Sequence, residues 1–270
     1  MTTMLKQLRS EWMRGQGRPV EKYCALVAVV LAVLVPALMI VLGSRNAIMR
    51  KNALMTLAFP NSVGAARDGV MLFGPFLAAA LGANSVGAEY QLNTWPWLLV
   101  RSTSRLRIVA VKTLIVAARL AALTAVSVAA FVAMAAAIRA MTGNEIATAS
   151  VATRDILIPF LAAGGWMAFA AAVGMTVTVA TRSVAFGTLT GAFTLPVLSA
   201  IRFKETASWI PYVHLENLTS RLLTGQPARG LKQLYDFEMS ARASAGIVTL
   251  ELFVILAVAF LVFRRQEIVY

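Results

Sequence analysis

Charged residues are absent or nearly absent from six stretches of the chain, each about twenty residues long. At about 1.5 Å rise per residue, a helix of that length crosses ~30 Å of hydrocarbon. The pattern predicts an all-α integral membrane protein with six transmembrane helices. Span one runs from Tyr23 to Gly43 and carries Pro36, which a membrane helix tolerates where neighbouring groups satisfy the freed carbonyl. Span two covers Gly69–Ala88, with Gly74-Pro75 and Gly82 as bends or close-packing points. Apolar sequence from Ile108 to Ile138 is too long for one crossing, so span three is placed at Leu120–Ile138, with Arg119 at a headgroup boundary. Span four lies within Ile156–Thr181 and is divided from span five, Ser183–Ile201, by Arg182 alone, which requires a tight helical hairpin. Gly187 and Gly191 have the small-xxx-small spacing that lets helix backbones approach, a spacing that also arises by chance in apolar sequence. Span six runs from Ala243 to Phe263 and ends in the basic pair Arg264-Arg265.

The flanks carry their own periodicity. Met1, Met4, Leu5, Leu8 and Trp12 recur at helical spacing, with Lys6, Arg9, Ser10 and Arg14 on the other side. Residues 1–22 therefore read as an amphipathic interfacial segment lying on one leaflet, the alternative being a solvated tail, and residues 23–270 as one six-helix transmembrane domain. Gly15, Gly17 and Pro19 supply the turn into the membrane. The first apolar run begins at Tyr23 and is too long for a signal peptide, so it is expected to stay as a helix. The longest link, Arg202 to Arg242, holds Trp209, Pro211, Tyr212 and Leu222-Leu223 among polar residues and reads as interfacial or partly re-entrant, or else as a solvated loop.

Composition agrees with the pattern: 59% of the 270 residues are hydrophobic and only 14% charged, which does not describe a soluble core in a polar shell. A formal charge of +13 would suit nucleic acid, but the 25 Lys and Arg flank apolar spans and form no basic domain, so the expected partner is the lipid bilayer. With the N-terminus inside, thirteen of them fall on the cytoplasmic side. That tally, and the five in the first flank, favour cytoplasmic N- and C-termini in the cell membrane. Cys24 and His214 are each the sole member of their type, so one subunit builds neither a disulfide nor a Cys/His metal cluster. In the long link, His214 reads as an ordinary surface or interfacial residue.

Between spans two and three stands Glu89-Tyr90-Gln91-Leu92-Asn93-Thr94, then Leu98-Leu99-Val100-Arg101-Ser102-Thr103-Ser104-Arg105, with Lys112 seven residues on. This constellation resembles the ABC-2 type ABC-transporter permeases, in which an E-(aromatic)-x-x-G-T stretch precedes leucines, a P-x-S-R-type element and a lysine entering the third helix. Glu89, Tyr90, Thr94, Leu98, Leu99, Ser104, Arg105 and Lys112 match without a gap. Asn93 stands where glycine is common and Ser102 where proline is common; asparagine tolerates the left-handed backbone that glycine supplies. The resemblance implies a cytoplasmic coupling segment that docks on a separate ATP-binding cassette subunit, a second permease copy or related permease, and export of a hydrophobic or amphipathic substrate such as a drug, antibiotic peptide or lipid. It also implies that ATP and Mg sit on the partner, since no G-x-x-x-x-G-K-[ST] occurs here. Within the segment, Tyr90, Trp95 and Trp97 suit aromatic anchors for such an interface and Glu89, Arg101 and Arg105 peripheral charges, while both tryptophans also suit anchors for a helix end.

Glu251 is the sole carboxylate inside an expected span, as a contact to a cationic substrate or as an interfacial or ion-paired residue. Lys112 and Arg119 share a helical face and read as snorkelling groups or ATPase contacts. A membrane-embedded enzyme lacks its players, having no second histidine, no G-x-S-x-G and no pair of aspartates within the spans. A non-transporting scaffold or signalling subunit coupled to an ATPase is the other alternative.

Overall fold

The computed structural model describes residues 2–44, 46–58, 61–101, 104–142, 153–200, 209–226 and 239–266. They form helices α1 (Thr2–Gln16), α2 (Pro19–Gly43), α3 (Ala47–Thr56), α4 (Asn61–Gln91), α5 (Trp95–Arg101), α6 (Arg105–Thr142), α7 (Thr153–Thr181), α8 (Val184–Ala200), α9 (Pro211–Thr224) and α10 (Ala241–Arg265). Among the described residues there is no strand. Five helices, α2, α4, α6, α7 and α10, are long and apolar enough to cross a membrane, and α8 is a shorter apolar helix. The protein is thus an all-α, multi-pass membrane protein by the length and composition of its helices.

Two boundaries differ from the hydropathy reading. Helix α4 starts at Asn61, eight residues before the expected span, and α6 runs unbroken from Arg105, so Arg119 lies inside a helix and marks no end. At 38 residues, α6 is ~57 Å long and must project well past a ~30 Å core. The hairpin between α7 and α8 forms as expected, turned by Arg182 in the left-handed region at φ 57°. The end of span five at Ile201 and most of the long link lie outside the described residues.

Helix α4 is the centre of the bundle, packed on α7, α8, α6 and α2. Without a hydrophobic drive between helices in lipid, close packing has to come from small side chains, and α4 is rich in them. A Cβ on Gly174 of α7 would lie 2.9 Å from the Ala79 carbonyl oxygen of α4. One on Gly191 of α8 would lie 2.6 Å from the Ala170 oxygen and 2.9 Å from the Ala79 Cβ. Gly187 likewise faces Thr178 and Gly174 of α7, so the Gly187/Gly191 spacing is a true three-helix contact. By contrast α2 and α10 leave large apolar side chains exposed, including Leu26, Val30 and Leu34 on one and Phe253, Val254 and Leu261 on the other. That is the expected surface of a helix facing acyl chains.

In the long link, α9 packs against α10 and α7, with Tyr212 edge-on to Trp166 at 5.1 Å between ring centres. The part that is described is therefore inserted into the bundle. His214 is fully buried there, which removes the surface alternative from the expectation of a surface or interfacial residue. Its neighbour Asn217 donates to the Met239 carbonyl at 2.9 Å and to the Ser244 hydroxyl at 2.8 Å, tying α9 to the start of α10.

The glycine seam yields a test by contrast. Gly191→Val forces atoms into an occupied space and should cost ~1–3 kcal/mol, read as a lowered unfolding midpoint in mild detergent. Gly64→Ala, where nothing lies within 4 Å of the added carbon, should leave stability unchanged or raise it by up to ~1 kcal/mol, so the midpoint stays or rises.

Candidate functional site

The link between α4 and α6 is an elbow built around one carboxylate. Asn93 turns the chain at φ 49°, the left-handed conformation expected for a residue standing in the glycine position. The turn brings the Thr94 amide to the Glu89 carbonyl at 3.0 Å and the Thr94 hydroxyl to Glu89 Oε2. Thr94 then accepts the Leu98 amide at 3.1 Å and so opens α5.

Glu89 itself is 1% exposed. Lys112 of α6, equally buried, donates to Glu89 Oε1 at 3.0 Å, to Glu11 Oε2 of α1 at 3.2 Å and to the Ser85 carbonyl at 2.9 Å. Arg18, just ahead of α2, donates to Glu89 Oε1 at 2.9 Å and to the Asn84 carbonyl at 3.3 Å. Arg14 lies 3.9 Å from the same oxygen. One buried acid thus holds together α1, the start of α2, the end of α4 and the elbow end of α6. This placement corrects the expectation of a peripheral charge: Glu89 is the centre of the cluster.

The aromatic residues divide. Trp95 is 2% exposed, its ring 4.6 Å from Phe263 of α10 and 5.4 Å from Tyr90, with Lys112 Nζ 5.6 Å from its centre. It is an inward wedge and is not available as an interface anchor. Tyr90 donates to Gln266 Oε1 at 2.6 Å, fixing the elbow to the end of α10. Arg105 completes that attachment by donating to the carbonyls of Phe263, Arg264 and Gln266, each at 3.0 Å, which caps the open carbonyl end of a helix with a cation. Trp97, two residues beyond Trp95, points the other way and is 70% exposed. Leu92 and Leu106 are exposed beside the same elbow. Ser104 is half-buried at the start of α6; the side chain of Arg101 and all of Ser102 lie outside the described residues.

Lys112 and Arg119 do share a face of α6, as their spacing requires, but both turn inward to partners, which corrects the snorkelling reading. Arg119 donates to Glu21 of α2 and to the carbonyls of Glu11 and Trp12, with its guanidinium 5.6 Å from the Trp12 ring. These contacts hold α1 along α6. Glu11, Arg18 and Glu21 were not singled out by sequence. The signal for the two acids was scarcity, only 12 in the chain, with Glu11 and Glu21 both on the first flank among Lys and Arg.

Glu251 sits apart, partly buried on α10, with Oε2 enclosed and accepting no hydrogen bond. No ion pair among the described residues includes it. Nor do these residues gather three metal-ligating side chains anywhere.

The protein-family match covers residues 29–269 and carries the description "Protein of unknown function (DUF2705)". The chain belongs to the DUF2705 family. No curated protein matches it. The matched range takes in α4, the elbow, α6 and α10 but begins after Arg18 and the acids of α1 and α2, so half of the Glu89 cluster lies ahead of it.

A double-mutant cycle measures the cluster. Lys112→Met alone leaves a buried carboxylate short of its most buried cation and should cost ~3–5 kcal/mol of stability. Adding Glu89→Gln should recover a large part of that loss, and additive losses would show that the two side chains do not interact.

Proposed function

We propose that this member of the DUF2705 family is the transmembrane permease subunit of an ATP-driven exporter of the ABC-2 type, moving a hydrophobic or amphipathic substrate out of the cytoplasm. ATP and Mg are held by a separate ATP-binding cassette subunit, and the permease pairs with a second copy or a related chain. In this reading α8 is the sixth crossing. The elbow is cytoplasmic, and so are both termini in the cell membrane.

The observation that carries the reading is the two-sidedness of the elbow. Its inner side, with Glu89, Thr94, Trp95 and Arg105, is pinned by charge-assisted bonds to the start of α2, to α6 and to α10, and by the Arg14 ion pair to α1, so a force on it reaches four helices at once. Its outer side presents Trp97, Leu92 and Leu106 as apolar groups beyond the belt of buried charge. Apolar side chains held on a rigid turn at the wet end of a membrane bundle are the chemistry of a small protein interface, in which a tryptophan anchor contributes most of the energy. The likeness of Glu89 to Lys112 with the ABC-2 permeases supplies the partner's identity.

Co-expression with a candidate ATP-binding subunit from the same genome tests the proposal. The intact chain should co-purify with the ATPase, and Trp97→Ala should weaken the complex about thirtyfold, the usual loss for one interface hot spot, without altering the unfolding midpoint. Trp95→Ala should lower the midpoint. A complex indifferent to Trp97→Ala, or transport that persists without any ATPase, refutes the assignment.

A further inference from the structure

Arg182 turns the chain between α7 and α8, and Arg264 and Arg265 close α10, all at the elbow end of the bundle. The three are exposed, and among the described residues their guanidiniums enter no ion pair and no hydrogen bond. Gln266 draws them to one corner. Its amide nitrogen donates to the Val179 carbonyl near the end of α7, its side-chain oxygen accepts from Tyr90, and its own carbonyl accepts from Arg105. Arg182 and Arg105 both lie within electrostatic reach of the Tyr90 hydroxyl, so the ends of α4, α7 and α10 meet there.

The corner carries a surplus of positive charge. Glu89, next to Tyr90 in the chain, is turned inward and spent on Lys112, Arg18 and Thr94. No carboxylate among the described residues acts on the Tyr90 hydroxyl, whereas two guanidiniums do. Glu267, the next acid after Arg265, lies outside the described residues. Open carbonyls at helix C-termini would repel an anion, but these are covered: Gln266 takes that of Val179, and Arg105 takes those of Phe263, Arg264 and Gln266.

The same arginines end two apolar stripes. On α10, Leu250, Val254, Val258 and Leu261 are exposed at helical spacing, and Arg265 is next in the series. On α8, Phe186, Leu189, Phe193 and Val197 are exposed in the same way, with Arg182 four residues ahead of Phe186. Helix α7 packs on both, and its last exposed side chains before Arg182 are the small Ala180 and Thr181. Stripes that face acyl chains and stop at a cation put that cation at headgroup level.

We infer that this corner binds an anionic phospholipid, its phosphate held by Arg182 and Arg265 with Arg264 alongside, and its acyl chains against the exposed stripes of α8 and α10. A guanidinium offers paired N–H donors that match two phosphate oxygens, and basic clusters between membrane helices at headgroup level suit acidic lipids. The lipid is favoured over a free anion because the cations stand where two lipid-facing stripes end. The inference goes beyond the exporter reading and does not depend on it.

The test places the full chain in nanodiscs of equal parts phosphatidylglycerol and phosphatidylcholine and counts each lipid retained on it by native mass spectrometry. Phosphatidylglycerol should be retained at least about fivefold over phosphatidylcholine, the scale of one arginine at an anionic surface. Arg182→Gln with Arg265→Gln should remove most of that preference. Lys6→Gln with Arg9→Gln, which takes the same charge from exposed positions of α1 at the same membrane face, should leave it in place. Unfolding midpoints in phosphatidylcholine alone should be the same for both pairs as for the parent, since neither pair removes a bonded side chain. An equal fall in the two pairs means diffuse attraction to headgroups. Displacement of the retained lipid by millimolar inorganic phosphate means a site for a free anion. A preference untouched by the Arg182 and Arg265 exchanges, with or without loss of a co-expressed ATP-binding subunit, gives these arginines another task. Each of these three results overturns the inference, and none bears on the docking read through Trp97.

Discussion

A carboxylate removed from water must be paired, and the geometry around Glu89 is the consequence. An isolated ion in a low-dielectric interior is prohibitively costly, so Glu89 is tolerated only because Lys112, Arg18 and the Thr94 hydroxyl reach it together. Those donors come from three different parts of the chain, and satisfying one acid therefore fixes where α2 enters, where α6 starts and how α5 leaves the turn. The same reasoning explains α1. Lys112 keeps a bond for Glu11, and Arg119 reaches Glu21 and the carbonyls of Glu11 and Trp12, so the surface helix is held by cations that themselves could not be left unpaired.

Away from this end, polarity gives way to size. The middle of α4 meets α7 and α8 through glycine and alanine, with Ala79 facing both Gly174 and Gly191. Backbone contact at that distance maximises dispersion between helices that gain nothing from excluding water. Charge thus sets the arrangement at the elbow, and close packing propagates it along the helices. Side chains on α2 and α10 stay large because they face lipid, where bulk matches the solvent and packing against protein is not required.

Hydropathy made the long helices and the α7–α8 hairpin legible, since uncharged length and a lone Arg182 leave few alternatives. Asn93 was legible for the same local reason, a turn needing a left-handed residue. The ends of α6 were not. Lys112 and Arg119 looked like headgroup markers because an unpaired cation in hydrocarbon is expensive, and the sequence does not display that each has a carboxylate 23 or 98 residues away. The opposite directions of Trp95 and Trp97 were hidden as well: on a seven-residue helix neither has a periodic context, and only Phe263, far along the chain, decides which of them is buried. The full burial of His214 was not legible, because a polar link read as interfacial, partly re-entrant or solvated does not say which of its side chains α9 turns toward the bundle.

The two ends of the molecule are joined by the same pair of helices. Near the elbow, α2 and α4 are fastened to each other by Arg18 on Asn84 and Glu89 and by Cys24 facing the Leu77 carbonyl. From Ala28 onward cavities lie between them, widening to the cleft that includes Met39 and Asp68. The pair forms a V with its apex in the ion cluster and its mouth about one bilayer thickness away. Glu89 therefore fixes how the two helices meet at the apex, while their separation at the mouth is set by what each packs on along its length. Tight packing of α4 on α7 and α8 keeps that arm of the V in place. The lipid-facing α2, with its largely exposed side chains, is the less enclosed arm and packs on α6 as well as on α4.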